Sequence, residues 1–218
     1  MSRRDWLEWH RPYDEDGSPL QQRLAIVQGR VRDALDACTT GPVRLISMCA
    51  GQGRDVVGAL VDHPRRDDVS ALLVELDARN VAHARSAAAG AGLDGVRVVC
   101  ADASTTGAYV DVVPAEVVLA CGIFGNVSDE DVQRTVQSLP MLCTPGATVI
   151  WTRHRKPPDL TVTIREWFRD AGFDEVAFDT TPDTYLSVGT ARLVSEPRAF
   201  VPGVRMFTFT GDGSLGNC

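Results

Sequence analysis

Residues 43–55 read VRLISMCAGQGRD, a short apolar run that ends in a glycine-rich turn. The apolar run predicts a buried β-strand. Gly51 and Gly53 would let the backbone turn tightly and approach a ligand, because glycine adopts conformations that other residues avoid. A helical pattern begins at about Arg54. This order of strand, glycine turn and helix indicates the first unit of an α/β sheet.

Four more strand-then-helix units follow this first one. Their strands are predicted at residues 69–75, 96–100, 116–120 and 147–151. Because parallel neighbours need crossover connections, five such units predict a doubly wound, mostly parallel sheet with helices on both faces. The last third of the chain lacks helical patterns, so we expect an antiparallel C-terminal edge there. Its strands are predicted at residues 173–179, 185–194 and 204–210.

The chain before the sheet divides into two parts. Ser18 followed by Pro19 is typical of a helix start, and apolar residues then repeat at helical spacing as far as Cys38. The first 17 residues show no such pattern, and we interpret them as an N-terminal appendage or lid. Because no long linker divides the rest, we expect residues 18–218 to form a single domain.

Charge and composition exclude several classes of protein. The chain has 218 residues, with 22 Lys and Arg against 29 Asp and Glu, for a formal net charge of −7. A non-specific binder of the phosphate backbone needs the opposite sign, so no nucleic-acid partner is expected. No apolar run approaches the length of a membrane span, and the N-terminus lacks the apolar core of an export signal. We therefore expect a cytoplasmic protein with no membrane partner, whose oligomeric state the sequence leaves open.

Each of the next two predicted strands has an acidic residue at or just beyond its carboxyl end. This is the edge where open α/β sheets bind ligands. Glu75 ends the second strand and Asp102 follows the third. A dinucleotide-binding loop would need a third glycine where Val56 stands, and a phosphate-binding loop would need Gly-Lys-Ser or Gly-Lys-Thr. A glycine loop with two carboxylates suits a ligand that has a ribose, an amino group and positive charge. S-adenosylmethionine is such a ligand.

The order of these motifs resembles that of class I S-adenosylmethionine-dependent methyltransferases. The resemblance covers residues 43–131, the predicted cofactor half, and its motifs are VRLISMCAGQGRD, LLVELDARNVAHAR, VVCADAS and ACGIFGNVSDED. It implies a seven-stranded sheet in the order 3-2-1-4-5-7-6 with an antiparallel seventh strand. It also implies S-adenosyl-L-methionine as the cofactor and methyl transfer as the reaction.

The resemblance also assigns the ribose end of the cofactor site. Gly51 and Gly53 match the second and third glycines of the family's glycine loop. Glu75 matches the acid that binds the ribose, with Asp77 as the alternative.

Two other segments match the remaining parts of the cofactor. Asp102, with Ala103 beside it, matches the acid near the adenine amino group. Cys121 and Gly122 match the backbone after the fourth strand, which faces the methionine moiety.

Two positions in the glycine loop depart from the family pattern. Ser47 stands where the family usually has an acid, and Cys49 stands where it has the first glycine. In place of the missing acid, either Asp55 or backbone carbonyls would meet the ammonium of the methionine moiety. Arg54 is the candidate for its carboxylate.

The acceptor is expected to be a small molecule. The loop after the fourth strand has no Asn-Pro-Pro-Tyr type motif, which the family uses for amino groups of adenine or glutamine. The loop also has no strand-four Asp of the kind that ligates magnesium in metal-assisted members of the family, so no metal is expected. Asn126, in the same loop, is either an acceptor contact or a turn residue.

Two segments supply candidates for substrate binding and catalysis. Trp6, Trp9 and Tyr13 lie close to His10 in sequence, which favours an aromatic lid over the acceptor with His10 as a base. Alternatively, these rings hold the appendage against the core. His154, just beyond the fifth strand, is the second candidate base, or else part of a solvated basic loop.

Two other functions remain compatible with the sequence. The substitutions at Ser47 and Cys49 also suit an S-adenosylmethionine-binding module without transfer activity. An NAD-dependent oxidoreductase is disfavoured by the glycine spacing.

Overall fold

The protein is described by a computed structural model that covers residues 11–39, 41–180 and 184–210. Within these residues the strands form one seven-stranded sheet in the order β3-β2-β1-β4-β5-β7-β6. The strands are β1 Val43–Met48, β2 Val69–Glu75, β3 Val96–Cys100, β4 Ala115–Ala120, β5 Cys143–His154, β6 Phe173–Thr180 and β7 Leu186–Leu193.

The first five strands are parallel, and β7 runs antiparallel to both β5 and β6. This confirms the predicted doubly wound sheet with an antiparallel C-terminal edge. The order reverses between β1 and β4, and in open α/β sheets ligands bind beyond the carboxyl ends of the strands at such a reversal.

Helices cover both faces of the sheet, as predicted. The α-helices are α1 Pro19–Ala37, α2 Arg54–Leu60, α3 Ala78–Gly90, α4 Asp129–Ser138 and α5 Thr161–Asp170. Residues of α1, α2 and α3 share one apolar core with one face of the sheet. Residues of α4 and α5 share a second core with the opposite face. Among the described residues, no helix is both long enough and apolar enough to cross a membrane.

The start of α1 follows the chemistry of its first residues. The Ser18 hydroxyl accepts a hydrogen bond from the Gln21 amide at 3.1 Å, which confirms Ser18 as the helix cap. Pro19 occupies the first turn, where its missing N–H costs nothing. Before this helix, Arg11–Asp14 form a short 3₁₀-helix that packs against α1.

The segment 204–210 is not a strand of the sheet, contrary to the prediction. It makes only isolated bridges, from Arg205 to Thr105 and from Phe209 to Val127. The side chains of Met206 and Phe207 are both fully buried although they are neighbours, so the segment lacks the alternation of a strand. We call residues 204–210 the C-terminal segment.

The C-terminal segment lies across the loops that follow β3 and β4. The Met206 amide donates to the Ser104 carbonyl at 2.8 Å, and the Thr210 amide donates to the Asn126 carbonyl at 2.9 Å. The helical piece predicted near residues 105–112 is a short 3₁₀-helix at Thr106–Tyr109. The C-terminal segment is thereby placed at the ligand-binding edge.

Candidate active site

The glycine loop after β1 has the conformation that its sequence predicts. Gly51 and Gly53 have φ angles of 55° and 71°, in the left-handed region. A Cβ atom on Gly53 would lie 2.9 Å from Cδ2 of Leu73, so a side chain there would meet both strain and a clash. Cys49, at the first-glycine position, also has a positive φ of 51°. The loop therefore keeps the backbone course of a glycine loop despite this substitution.

Glu75 lies at the carboxyl end of β2, where it is only 9% exposed. One carboxylate oxygen accepts from the Gly51 amide at 2.8 Å, and the other accepts from the Asp77 amide at 2.9 Å. Burial raises the pKa of Glu75, and these amide hydrogen bonds oppose the rise. The carboxylate retains lone pairs for further donors, such as the hydroxyls of a ribose.

Asp77, the alternative candidate for binding the ribose, has different hydrogen-bond partners from Glu75. Its carboxylate caps α3 by accepting from the Arg79 amide at 2.9 Å, and it also pairs with the Arg79 guanidinium. The hydrogen bond from the Arg79 side chain lowers the pKa of Asp77. This residue has a sufficient structural role, which favours Glu75 as the ligand contact.

Asp102 lies in the loop after β3 and is held by two donors. Oδ1 accepts from the Ser104 amide at 2.9 Å, and Oδ2 lies 3.4 Å from Nη2 of Arg205. Burial alone would raise the pKa of Asp102, but the hydrogen bonds from Ser104 and the charge of Arg205 outweigh it and lower this pKa. Ala103 is buried, and its carbonyl accepts from the Tyr109 hydroxyl at 2.6 Å.

The turn after β4 is fixed by hydrogen bonds to its backbone. Gly122, with a φ of 75°, donates its amide to Oγ1 of Thr152 at 2.8 Å. Its carbonyl accepts from the Asn126 side-chain amide at 2.8 Å. Asn126 therefore shapes the loop that it was predicted to line, and Cys121 precedes this turn as a free thiol.

His154 ends β5 at the same edge of the sheet. Its Cδ2 atom lies 3.5 Å from the position of a Cβ on Gly125, so the ring packs against the loop after β4. Its Nδ1 atom is buried and has no hydrogen-bond partner among the described residues. Burial lowers the pKa of His154, and the charges of Arg153 and Lys156 lower it further. The imidazole is therefore neutral at pH 7 and able to accept a proton.

Arg54, the predicted partner of the cofactor carboxylate, is paired with an acid of the same chain. Its guanidinium forms a two-pronged ion pair with Asp14, at 2.6 and 3.1 Å, and it donates to the Gln52 side chain at 2.8 Å. These contacts attach the 3₁₀-helix Arg11–Asp14 to the start of α2. Tyr13, in the same short helix, accepts a hydrogen bond from the Arg23 guanidinium.

Sequence reasoning missed two arginines at this edge. Arg23 lies one helical turn before the buried residue Val27, and a charge on the buried side of a helix was the available signal. Arg205 contacts Asp102 across more than 100 positions of sequence, so no local signal could have found it.

Of the remaining predicted site residues, one is buried in the structure and three lie outside the part that is described. Ser47 is 1% exposed, and its hydroxyl has no hydrogen-bond partner among the described residues. Trp6, Trp9 and His10 lie outside the described residues. Within the ranges that the structure covers, no cluster of three or more His, Cys, Asp or Glu side chains could hold a metal ion.

A family model described as "Putative methyltransferase" matches residues 19–170 of the chain. No curated protein matches the sequence. Three similar solved structures share its fold. Magnesium protoporphyrin IX methyltransferase from Synechocystis PCC 6803 with bound SAM is 14% identical with a TM-score of 0.65, over 86% of this chain and 90% of that chain.

An O-methyltransferase family protein from Burkholderia thailandensis is 15% identical with a TM-score of 0.58, over 85% of this chain and 62% of that chain. The CurJ carbon methyltransferase is 14% identical with a TM-score of 0.63, over 88% of this chain and 59% of that chain. At such identities the likeness shows the fold alone. Because the family model spans more than half of the chain, the protein belongs to this methyltransferase family, and its fold is that of the class I S-adenosylmethionine-dependent methyltransferases.

Proposed function

We propose that the protein transfers the methyl group of S-adenosylmethionine to a small-molecule acceptor by in-line displacement. The observation that carries the proposal is the Glu75 carboxylate, buried at the end of β2 and hydrogen-bonded to the Gly51 amide of the glycine loop. A buried carboxylate is costly unless it is hydrogen-bonded, and its remaining acceptor sites suit the two hydroxyls of a ribose.

The residues at this edge fit the cofactor in composition and charge. A Cβ on Gly53 would clash with Leu73 of β2, so this glycine lets the loop pack closely against the strand and helix beside the proposed site. In our proposal Glu75 holds the ribose, Asp102 lies beside the adenine amino group, and the backbone of Cys121 and Gly122 borders the methionine moiety. Ser47, Cys49 and Ala103 complete the walls of this proposed site.

When bound, S-adenosylmethionine supplies an electrophilic methyl group on a positively charged sulfur. The chain's own task is to hold the acceptor atom in line at about 3 Å and to exclude water, which can supply much of the rate enhancement. Where the acceptor atom carries a proton, the neutral imidazole of His154 is our proposed base. His10 remains a second proposed base.

A small-molecule acceptor is supported by the loop after β4. Asn126 is engaged with the Gly122 carbonyl, and the loop lacks an Asn-Pro-Pro-Tyr type motif. One solved structure with the same fold is named as acting on magnesium protoporphyrin IX, which is a small molecule. The net charge of −7 argues against nucleic acid as the partner. We also propose a cytoplasmic location and no membrane partner.

We propose that residues 1–17 form a lid on the domain of residues 18–218. The part of this segment that is described contacts the core through the Asp14–Arg54 ion pair. A deletion of residues 1–10 removes Trp6, Trp9 and His10 but leaves this ion pair. It should keep the affinity for S-adenosylhomocysteine and lose methyl transfer, whereas full transfer by the shortened protein would refute the lid.

Two measurements test the proposed function. Calorimetric titration with S-adenosylmethionine, S-adenosylhomocysteine and NAD should give binding heat with the first two ligands only. Incubation with methyl-labelled S-adenosylmethionine and a dialysable small-molecule extract of cells should then move the label into the dialysable fraction.

Each alternative function predicts a different result in these measurements. Binding without any label transfer would support an S-adenosylmethionine-binding module, and heat with NAD alone would support an oxidoreductase. Label found only in protein or nucleic acid would refute the small-molecule acceptor.

A further inference from the structure

The methionine end of S-adenosylmethionine carries two opposite charges, and the binding site must accommodate both. It carries an ammonium and a carboxylate, and each needs an opposite charge or hydrogen bonds when it leaves water. In this chain the usual acid of β1 is replaced by Ser47, whose hydroxyl cannot neutralise an ammonium. A different carboxylate must therefore supply the negative charge, or the backbone must supply all of the hydrogen bonds.

Asp55 is a carboxylate at the required position. It is the second residue of α2, immediately after the glycine loop, and its Oδ1 accepts from the Val56 amide at 2.9 Å. The residue is partly exposed, and among the described residues it has no ion pair within 4 Å. A carboxylate that loses water needs compensating positive charge or hydrogen bonds, so Asp55, two residues after Gly53 at the carboxyl end of β1, suits a cationic ligand group.

A cationic side chain lies close to this carboxylate. Arg23 of α1 interacts electrostatically with Asp55 and donates a hydrogen bond to the Tyr13 hydroxyl. Two guanidinium groups lie over the Tyr13 ring, with Cζ of Arg23 5.9 Å and Cζ of Arg54 5.8 Å from the ring centroid. The Arg54 guanidinium is paired with Asp14, whereas the Arg23 guanidinium interacts electrostatically with Asp55.

These groups lie on the side of the sheet that faces the methionine end. Cys121, which matches the family's methionine-facing backbone, packs with the core that α1 and α2 share, and its thiol interacts electrostatically with Asp55. Ser47 lies two residues after Leu45 on β1, so its side chain points to the same face. Ser47, which stands on β1 in place of the usual acid, and Asp55, which lies on α2, therefore border the same region.

We propose that Asp55 binds the ammonium of the methionine moiety and Arg23 binds its carboxylate, with Tyr13 holding the Arg23 guanidinium in place. The inference rests on the proposed function, since it concerns the same cofactor. It moves the ammonium-binding acid from β1 to the first turn of α2. It also gives the 3₁₀-helix Arg11–Asp14 a part in cofactor binding.

The charged state of Asp55 supports this assignment. Burial raises the pKa of Asp55 to about 6, and its hydrogen bonds to backbone amides and the charge of Arg23 limit the rise. The groups that face it are Arg23 from α1, Tyr13 from the 3₁₀-helix and Cys121 after β4, and burial raises the pKa of both Tyr13 and Cys121 so that these two are neutral. Asp55 is thus the titrating acid of this cluster near neutral pH.

The decisive experiment compares two ligands that differ only in the amino-acid end. S-adenosylhomocysteine has the ammonium and carboxylate, whereas 5′-methylthioadenosine lacks both. Asp55→Asn and Arg23→Gln should each weaken S-adenosylhomocysteine binding by more than about tenfold and leave 5′-methylthioadenosine binding within about twofold. Asp67→Asn is the control, because Asp67 is an acid with a 93% exposed side chain just before β2, at the opposite edge of the sheet, and its replacement should change neither affinity.

A second measurement uses the unaltered protein. Its affinity for S-adenosylhomocysteine should fall as the pH is lowered through about 6, because protonated Asp55 no longer attracts the ammonium. The affinity for 5′-methylthioadenosine should stay constant over the same range. In Asp55→Asn this difference between the two ligands should disappear.

The outcomes separate this inference from the proposed function. Unchanged S-adenosylhomocysteine affinity in Asp55→Asn, or equal losses for both ligands, would overturn the role of Asp55. If Glu75→Gln still weakens both ligands, the proposed function stands without it. Failure of the unaltered protein to bind either ligand would instead refute the proposed function.

Discussion

The Glu75 carboxylate accepts a hydrogen bond from the Gly51 amide at 2.8 Å, which joins the end of β2 to the glycine loop after β1. One side chain thereby fixes the loop and presents a buried acceptor at the ligand-binding edge. Replacing Glu75 by Gln keeps an oxygen for the loop amide but removes the charge. We expect S-adenosylhomocysteine to bind more than about tenfold more weakly, because a ribose loses two charge-assisted hydrogen bonds.

Calorimetry checks this expectation, with Glu116→Gln as the control. Glu116 is also a strand carboxylate bonded to a backbone amide, that of Arg44, but it lies at the start of β4, away from the ligand-binding edge. The control should bind the ligand normally. An unaffected affinity in Glu75→Gln would transfer the ribose assignment to Asp77.

Asp55 is expected to cost stability when no ligand is present. Its pKa is raised from 3.8 to about 6, so ionisation is harder in the folded protein than in the unfolded chain. The penalty is absent below the unfolded pKa and is complete above the folded one. Asp55→Asn should therefore stabilise the ligand-free protein by about 2 kcal/mol at pH 7.5 and by little near pH 4.

Denaturant unfolding at several pH values measures this difference. The stabilisation should grow as the pH rises through about 6. A gain that is the same at every pH would mean that the charge of Asp55 is not its source. Asp14→Asn, at an exposed position, should show no such gain.

Arg205 positions Asp102 from the C-terminal segment. It donates to the Ser104 hydroxyl at 2.6 Å and lies 3.4 Å from the Asp102 carboxylate. Because this pair is partly exposed, its contribution is small, and Arg205→Ala should weaken S-adenosylhomocysteine binding about two- to fivefold. Arg198→Ala, which removes an exposed hydrogen bond to the Gln137 carbonyl, is the control and should have no effect. If both variants bind S-adenosylhomocysteine as tightly as the unaltered protein does, Arg205 has no role in positioning Asp102, and Ser104 alone orients it.

Gly53 is required by both its conformation and its contacts. Gly53→Ala should destabilise the protein by about 2–4 kcal/mol, since the new Cβ has a positive φ and lies 2.9 Å from Leu73. Gly146→Ala is the matched control: Gly146 has a φ of 76° with open space around it, so only the backbone penalty of about 1 kcal/mol is expected. Thermal and denaturant unfolding give both values. Equal losses of unfolding free energy in the two variants would show that the Leu73 side chain moves aside without a cost in stability.

His154 is expected to affect turnover and not cofactor binding. With the acceptor identified by label transfer, His154→Gln should lower the rate about a hundredfold if that acceptor carries a proton. The rate of the unaltered protein should fall on the acid side of pH 6.5, because the pKa of His154 lies below that ordinary value and only the neutral ring accepts a proton. The variant should lose this acid limb.

His83→Gln is the control for His154, since His83 is exposed on α3. It should retain both the rate and its pH dependence. An acid limb that persists in His154→Gln would assign the titration to another group.

Much of the site could be predicted because it lies where strands end. The apolar runs and the glycines are local signals, and the carboxyl ends of parallel strands meet at one edge. Glu75, Asp102 and the turn at Gly122 were therefore predictable from strand order alone. Residues within a few positions of a strand end are brought to the site by the topology, whatever the details of packing.

The tertiary structure decided the contacts between segments that are distant in sequence. The C-terminal segment was predicted as a strand because its residues favour strands, but burial of both Met206 and Phe207 placed it across the loops. Arg54 was expected to bind the cofactor carboxylate, and the structure pairs its guanidinium with Asp14 of the 3₁₀-helix.

The sequence by itself determined the order of strands and helices, the glycine loop and the acids at the strand ends, since each depends on neighbouring residues and hydrophobic period. Only the tertiary structure brought Arg23 and Tyr13 next to Asp55, and Arg205 next to Asp102. These pairs depend on how α1 and the C-terminal segment pack against the sheet. Packing is set by the burial of whole faces, which no local pattern encodes.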